Sequence, residues 1–126
     1  MFEHIDPRSS TPLYAQIAAR FRVAIAAGEL RTGALLPSVR ELAARLRVNP
    51  ATIAQAYREL EAEGFVEIRH GAGTYVRELA PGRRTRERAR QAKALVERVL
   101  ADARRMGVTL EELREAIDGA LGAKTT

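Results

Sequence analysis

The chain has 126 residues, enough for one small domain and a helical appendage. It contains no cysteine, which excludes disulfides and thiolate metal sites, and no apolar run near the roughly 18 residues of a membrane span. Its formal net charge is +5, carried mainly by arginine, which favours a polyanionic partner.

The charge is unevenly spread. Up to Glu78, ten Lys and Arg stand against nine Asp and Glu; from Leu79 onward, eleven stand against seven. The amino-terminal part is therefore not uniformly basic. Polyanion binding there must come from the placement of single arginines and backbone amides. The first residues, Met1 to Asp6, are acidic where a secretory leader would be basic. With the lack of cysteine, this leads us to expect a cytoplasmic protein.

Met1 to Ser10 read as an irregular arm. Thr11 then reads as an N-cap with Pro12 at the first helical position. Leu13, Ile17, Phe21 and Ala24, flanked by Tyr14, Ala18 and Ile25, form the stripe of an amphipathic helix that Gly28 closes. Glu29 to Pro37 form a connector with a turn at Gly33. Ser38-Val39-Arg40-Glu41 is a capping box, in which Ser38 accepts from the Glu41 amide and the Glu41 carboxylate reaches back. Val39, Leu42, Ala43 and Leu46 face inward on this short second helix.

Arg47-Val48 is the next turn. Asn49 caps a third helix with Pro50 at its first position, and Ile53, Ala56, Tyr57 and Leu60 face the core. Gly64 ends it. Phe65, Val66 and Ile68, then Tyr75 and Val76, are strand-forming runs around the turn His70-Gly71-Ala72-Gly73. Short capped helices followed by a tight hairpin are the order of a winged helix-turn-helix.

Leu79-Ala80-Pro81-Gly82 break the pattern. Arg83 to Met106 are mostly strong helix formers, with Ala89, Ala92, Val96, Val99, Ala103 and Met106 at the alternating steps of a helix-pairing seam. Gly107 closes this helix, and Thr109-Leu110-Glu111-Glu112 is a second capping box. Leu110, Leu113, Ile117 and Leu121 continue an apolar face, and Gly122 to Thr126 are expected to fray. The expected fold is α+β, mainly α. Residues 1–78 make a winged helix-turn-helix DNA-binding domain, and residues 79–126 make a two-helix dimerisation tail.

The candidate site follows from the inward residues of the third helix. With Ile53, Tyr57 and Leu60 buried, Ala51, Thr52, Gln55 and Arg58 point outward, where a recognition helix reaches base edges. Gln55 can pair bidentately with adenine, and Ala51 or the Thr52 methyl can meet a thymine methyl. Asn49 and the free amides of that helix end can hold a phosphate. An ordinary solvated helix face is the bland alternative. Arg40 sits in the first turn of the second helix, where the dipole opposes a cation. A DNA phosphate or guanine would offset that, and a surface ion pair would also account for it. Arg69, His70 and Gly71 supply donors and close backbone approach at the hairpin, or simply make a hairpin turn. The basic run of Arg83, Arg84, Arg86, Arg88, Arg90 and Lys93 is either a solvated face or a phosphate contact.

In these residues the chain resembles the GntR family of bacterial transcription regulators. The resemblance covers roughly Pro12 to Val76. It is carried by Leu36-Pro37-Ser38-x-Arg40-x-Leu42-Ala43, by Val48-Asn49-Pro50-x-Thr52, and by Gly71-x-Gly73-Thr74-x-Val76. The short tail resembles the YtrA subfamily, whose members dimerise through the tail and lack a large effector-binding domain. The resemblance implies DNA contacts at Arg40, at Asn49, Pro50, Ala51 and Thr52, and at His70 and Gly71. Many relatives carry arginine where this chain has Pro50 and Ala54, so the operator sequence does not carry over. Control of a neighbouring operon, often one for an ABC transporter, is also implied.

The expected function is a homodimeric regulator, a repressor, on a palindromic double-stranded DNA operator. A winged-helix protein-interaction module is the alternative, but Ala51, Thr52 and Gln55 offer no aromatic or aliphatic anchor. An enzyme is the second alternative. His4 and His70 lack nearby ligand partners, no cofactor motif is present, and the length leaves no room for the pyridoxal-phosphate domain fused in some relatives. A small-molecule effector, unnamed by the sequence, would have to bind without a dedicated pocket domain.

Overall fold

A computed structural model describes residues 1–125, with side chains through residue 123. The elements in order are α1 (Leu13–Ala26), α2 (Val39–Leu46), α3 (Pro50–Ala62), β1 (Val66–Arg69), β2 (Gly73–Val76), α4 (Arg83–Met106) and α5 (Leu110–Thr125). The expected winged helix-turn-helix and two further helices are all present. Contacts divide the chain into a first compact unit, Met1–Arg88, and a second from Ala89 onward. None of the described helices is long and apolar enough to cross a membrane.

The core of the first unit is built from the apolar stripes. Ile17, Phe21 and Ile25 of α1, Leu42 of α2, and Ile53, Tyr57 and Leu60 of α3 are buried with Phe65, Val66 and Val76 of the wing. Each such large side chain contributes about 1.5–3 kcal/mol through its burial. Phe21 meets Phe2 and Tyr57 edge-on, at 5.3 and 5.6 Å between centroids. The Tyr57 hydroxyl donates to the Pro37 carbonyl at 2.6 Å. Burial pushes this phenol well above its ordinary pKa, so it stays protonated as a donor.

The amino-terminal arm is docked. Gln16 braces it, donating from Nε2 to the Asp6 and Thr11 carbonyls and accepting the Asp6 amide at Oε1, each at 2.8 Å. Arg20 Nε donates to the Met1 carbonyl at 2.7 Å. This changes the expected start of α1. Pro12, not Thr11, occupies the N-cap, and its carbonyl accepts from the Ala15 and Gln16 amides. The Thr11 carbonyl is engaged by Gln16 instead.

Helix α2 ends on Arg47, whose φ of 57° and ψ of 46° lie in the left-handed region. The Val48 amide closes back on the Ala43 carbonyl at 3.0 Å. For a residue with a Cβ this conformation costs roughly 1–2 kcal/mol.

Strands β1 and β2 are antiparallel, with Val66 opposite Val76 and Arg69 opposite Gly73. The far edge of β2 is also paired. Gly33 N donates to Val76 O, Val76 N to Ala34 O and Leu36 N to Thr74 O, at 2.8–2.9 Å, and Leu35 bridges to Tyr75. The segment that reads as a plain connector thus lines the wing.

The first unit runs past Glu78 because the start of α4 is fastened to it. The Arg83 guanidinium lies 4.5 Å over the Phe65 ring, donates to the Glu63 carbonyl at 3.2 Å, and pairs with the buried Glu87 at 3.2 Å. Arg88 donates to the Ala26 carbonyl and Arg84 to Thr32. These three members of the basic run have structural partners, so they are not simply a solvated face.

In the second unit Ala103 is buried, and the Val108 amide bonds to its carbonyl at 2.9 Å. The capping box is reciprocal. Thr109 N donates to Glu112 Oε1 at 2.9 Å and Glu112 N to Thr109 Oγ1 at 3.1 Å. The bond from the Thr109 amide holds the Glu112 carboxyl below the usual carboxylate range. Helix α5 continues through Gly122 to Thr125, where fraying was expected; Thr126 lies outside the described residues.

Replacing Tyr57 with phenylalanine keeps the ring and removes the partner of the carbonyl of half-buried Pro37. Urea unfolding of Tyr57→Phe should show a loss of about 1–3 kcal/mol. An unchanged midpoint would mean that the hydrogen bond to Pro37 adds nothing to stability.

Candidate nucleic-acid interface

Two helix starts shape the candidate surface. At α2, Ser38 Oγ accepts the Glu41 amide at 3.0 Å, and Arg40 is exposed in the first turn. At α3, Asn49 Oδ1 accepts the Ala51 amide at 2.8 Å, and the Thr52 amide bonds to the Asn49 carbonyl at 2.9 Å. Pro50 has no amide proton. The free amides expected at this helix end are therefore already taken, and the Asn49 Nδ2 group is the remaining donor of the cap.

Burial sets the phase of α3. With Ile53, Ala56, Tyr57 and Leu60 buried, Pro50, Ala51, Gln55 and Arg58 are exposed, and Thr52 is half-buried. This is the expected outward set, Thr52 being less open than its neighbours. Arg45 and Arg47, which sequence reasoning left as a helix end and a turn, are exposed as well. The signal that could have singled them out is two basic side chains flanking the turn between the helices.

At the wing, Arg69, His70 and Gly71 are all exposed. Arg69 is not a loose donor. It pairs with Glu67 at 3.2 Å and stacks 4.6 Å over the Tyr75 ring. The Tyr75 hydroxyl donates to the Ala72 carbonyl at 3.0 Å, and the Ala72 amide closes the turn on Arg69 O at 2.9 Å. His70 and Gly71 form the tip, with Gly71 at φ 78°. Glu61 of α3 accepts the Ile68 amide at 2.8 Å, tying this hairpin to the helix.

The electrostatics of the unit come from pairing. Arg22 of α1 holds both Glu59 and Glu63, at 3.1 and 2.9 Å. Glu61 is taken by the Ile68 amide, Glu67 by Arg69 and Glu87 by Arg83. By contrast, the side chains of Arg40, Arg45, Arg47 and Arg58 make no hydrogen bond or ion pair among the described residues. The near-neutral sum of the domain thus conceals four unpaired cations, beside one unpaired acid, Glu41, on α2, the turn and α3. Among the described residues no cluster of histidine and carboxylate side chains could hold a metal.

Comparison with known proteins fits this geometry. The family described as bacterial regulatory proteins, gntR family, matches residues 13–76. The HTH-type transcriptional repressor YtrA of Bacillus subtilis (strain 168) is 42% identical over 113 residues, spanning 90% of this chain and 87% of that one. A GntR family transcriptional regulator from Listeria monocytogenes superposes with a TM-score of 0.69 at 33% identity, covering 88% of this chain and 96% of its own. AraR(DBD) in complex with operator ORX1 superposes with a TM-score of 0.52 at 29% identity, over 56% of this chain and 88% of its own.

The hairpin imposes one strict residue requirement. Gly73 has φ 122°, and a Cβ there would lie 2.7 Å from Leu35 Cδ1, whereas a Cβ on Gly71 meets open space. Gly73→Ala should cost about 1–3 kcal/mol, more than Gly71→Ala, and should speed hydrogen exchange at the Leu36 and Val76 amides. Equal losses of stability in the two variants would show that the φ of 122° at Gly73 is no more demanding than the 78° at Gly71.

Proposed function

The chain belongs to the gntR family of bacterial regulatory proteins and is a DNA-binding transcriptional regulator, and we propose that it acts as a homodimeric repressor on a palindromic operator. One observation supports this reading above the others. Arg22, Arg69 and Arg83 pair with glutamates, whereas the arginines of α2, the turn and α3 make no ion pair among the described residues and are left to meet an external polyanion. Membership of a family of transcription regulators also supports a non-enzymatic role and a cytoplasmic location beside the DNA.

The division of labour follows from position. Gln55 is the long polar side chain on the exposed early turns of α3, suited to adenine, with Ala51 and the Thr52 methyl beside it for thymine methyls. Arg40, at the start of the helix that crosses the backbone, and Asn49 Nδ2 bind phosphates; Arg58 extends the same face. His70 and Gly71 bring the wing tip to an adjacent groove, and Arg69 supports that tip from its stack on Tyr75.

The second unit supplies the dimer contact. Val96 is 56% and Val99 41% exposed, and Leu95, Leu110, Ile117 and Leu121 are exposed with them. That much apolar surface on two helices is suited to a second copy, which would present two readers to two half-sites. A gel-shift titration against DNA upstream of the chain's own coding region tests the reading as a whole. No shift at concentrations where the protein is folded would remove it.

Gln55→Ala should relax preference at one base pair per half-site, at a cost of about 1–3 kcal/mol against the preferred base. Binding to random duplex should barely change. Selection from a randomised operator checks this, and an unchanged sequence preference would remove Gln55 from the site.

Val96→Asp should yield a monomer in sedimentation, because an unpaired carboxylate is costly in an apolar contact. A variant that stays dimeric would place the interface elsewhere.

A further inference from the structure

Arg47 is the sole non-glycine residue of positive φ among the described residues. The left-handed turn it makes closes α2, and glycine would make that turn without crowding the following carbonyl. Packing does not account for arginine there either. Its side chain is exposed and has no hydrogen bond, ion pair or ring contact. Glu41, the acid on the same helix, makes no ion pair with it.

Its place in the fold does account for it. Arg47 lies two residues before Asn49, the cap of α3. In a helix-turn-helix the first residues of the recognition helix meet base edges, and groups flanking that end lie over the sugar-phosphate chain. A guanidinium matches two phosphate oxygens with parallel hydrogen bonds, which an amide or a hydroxyl cannot do. We propose that Arg47 is a DNA-backbone clamp, holding a phosphate at the edge of each half-site and so positioning α3 in its groove. The assignment rests on the DNA-binding reading above and extends it to the turn. Arginine is kept at a position that favours glycine because the charge is needed there.

The test uses the full chain and two variants, Arg47→Gly and Arg47→Lys. Each is titrated by fluorescence anisotropy, over a salt series, against a duplex from the upstream region and a scrambled duplex of equal length. Thermal unfolding is measured in parallel. Arg47→Gly should melt at or above the wild-type temperature. It should bind both duplexes several-fold more weakly, with the log–log salt slope lowered by about 0.9 for each phosphate that is no longer neutralised. Arg47→Lys should keep the slope. If the wild type binds neither duplex, the DNA-binding reading itself fails. If the wild type binds and Arg47→Gly matches it in affinity and slope, the clamp alone is overturned. A weakening confined to the upstream duplex would make Arg47 a base reader and overturn the phosphate assignment. An Arg47→Gly protein that melts several degrees below wild type would give the side chain a structural role and overturn it too.

Discussion

The ring of Tyr57 lies edge-on against Phe21 in the core while its hydroxyl donates to the carbonyl of Pro37. The ring seats α3 on α1. The hydroxyl seats, on the same helix, the residue just before the Ser38 cap of α2. Both helices of the reading motif are therefore referenced to one buried side chain. The bond is favourable because it gives the hydroxyl of the buried ring and the Pro37 carbonyl a partner in place of water. With Tyr57, Ile53 and Leu60 held inward, the opposite face of α3 has no choice but to meet solvent or a partner.

What that face carries is decided by charge pairing elsewhere. Ten basic and nine acidic side chains up to Glu78 suggest an almost neutral body. The fold separates them. Arg22 reaches from α1 to two glutamates at the end of α3, Arg69 leans on Glu67, and Arg83 holds Glu87. Arg40, Arg45, Arg47 and Arg58, like Arg8, Arg31 and Arg77, make no ion pair among the described residues, and neither do Glu29, Glu41 and Glu78. Exposed ion pairs add little to stability, about 0–1 kcal/mol each. Their larger consequence is to remove negative charge from the neighbourhood of a surface suited to DNA. The second unit shows the complementary case. Helix α5 is well capped, yet α4 and α5 leave valines and leucines in solvent, which is why a second copy is the natural partner in our proposal.

The wing shows how a short feature escapes local pattern. Alternation revealed the strands around the His70–Gly73 turn. Leu35 pairs with Tyr75 through a single bridge, too short to carry a period, and it is the φ of 122° at Gly73 that demands glycine there. The docked arm escaped for a similar reason. Met1 to Ser10 have no repeating pattern, and their order comes from Gln16, Arg20 and Phe21 on a helix that follows them.

Short-range signals along the chain were enough to set the elements and most of their ends. Ser38, Asn49 and Thr109 announce helix starts because a capping oxygen and the amide it accepts lie within three residues of one another. Apolar spacing announced the buried faces, and with them the outward position of Ala51, Gln55 and Arg58. Other outcomes waited for packing: that Pro12 rather than Thr11 begins α1, that Arg83, Arg84 and Arg88 fasten the start of α4, and which arginines stay unpaired. These depend on partners far apart in the chain. Arg22 meets its glutamates across 37 and 41 residues, and Arg88 meets Ala26 across 62. Capping and periodicity act over a few residues and can be read along the chain, whereas such pairs exist only once the helices have packed.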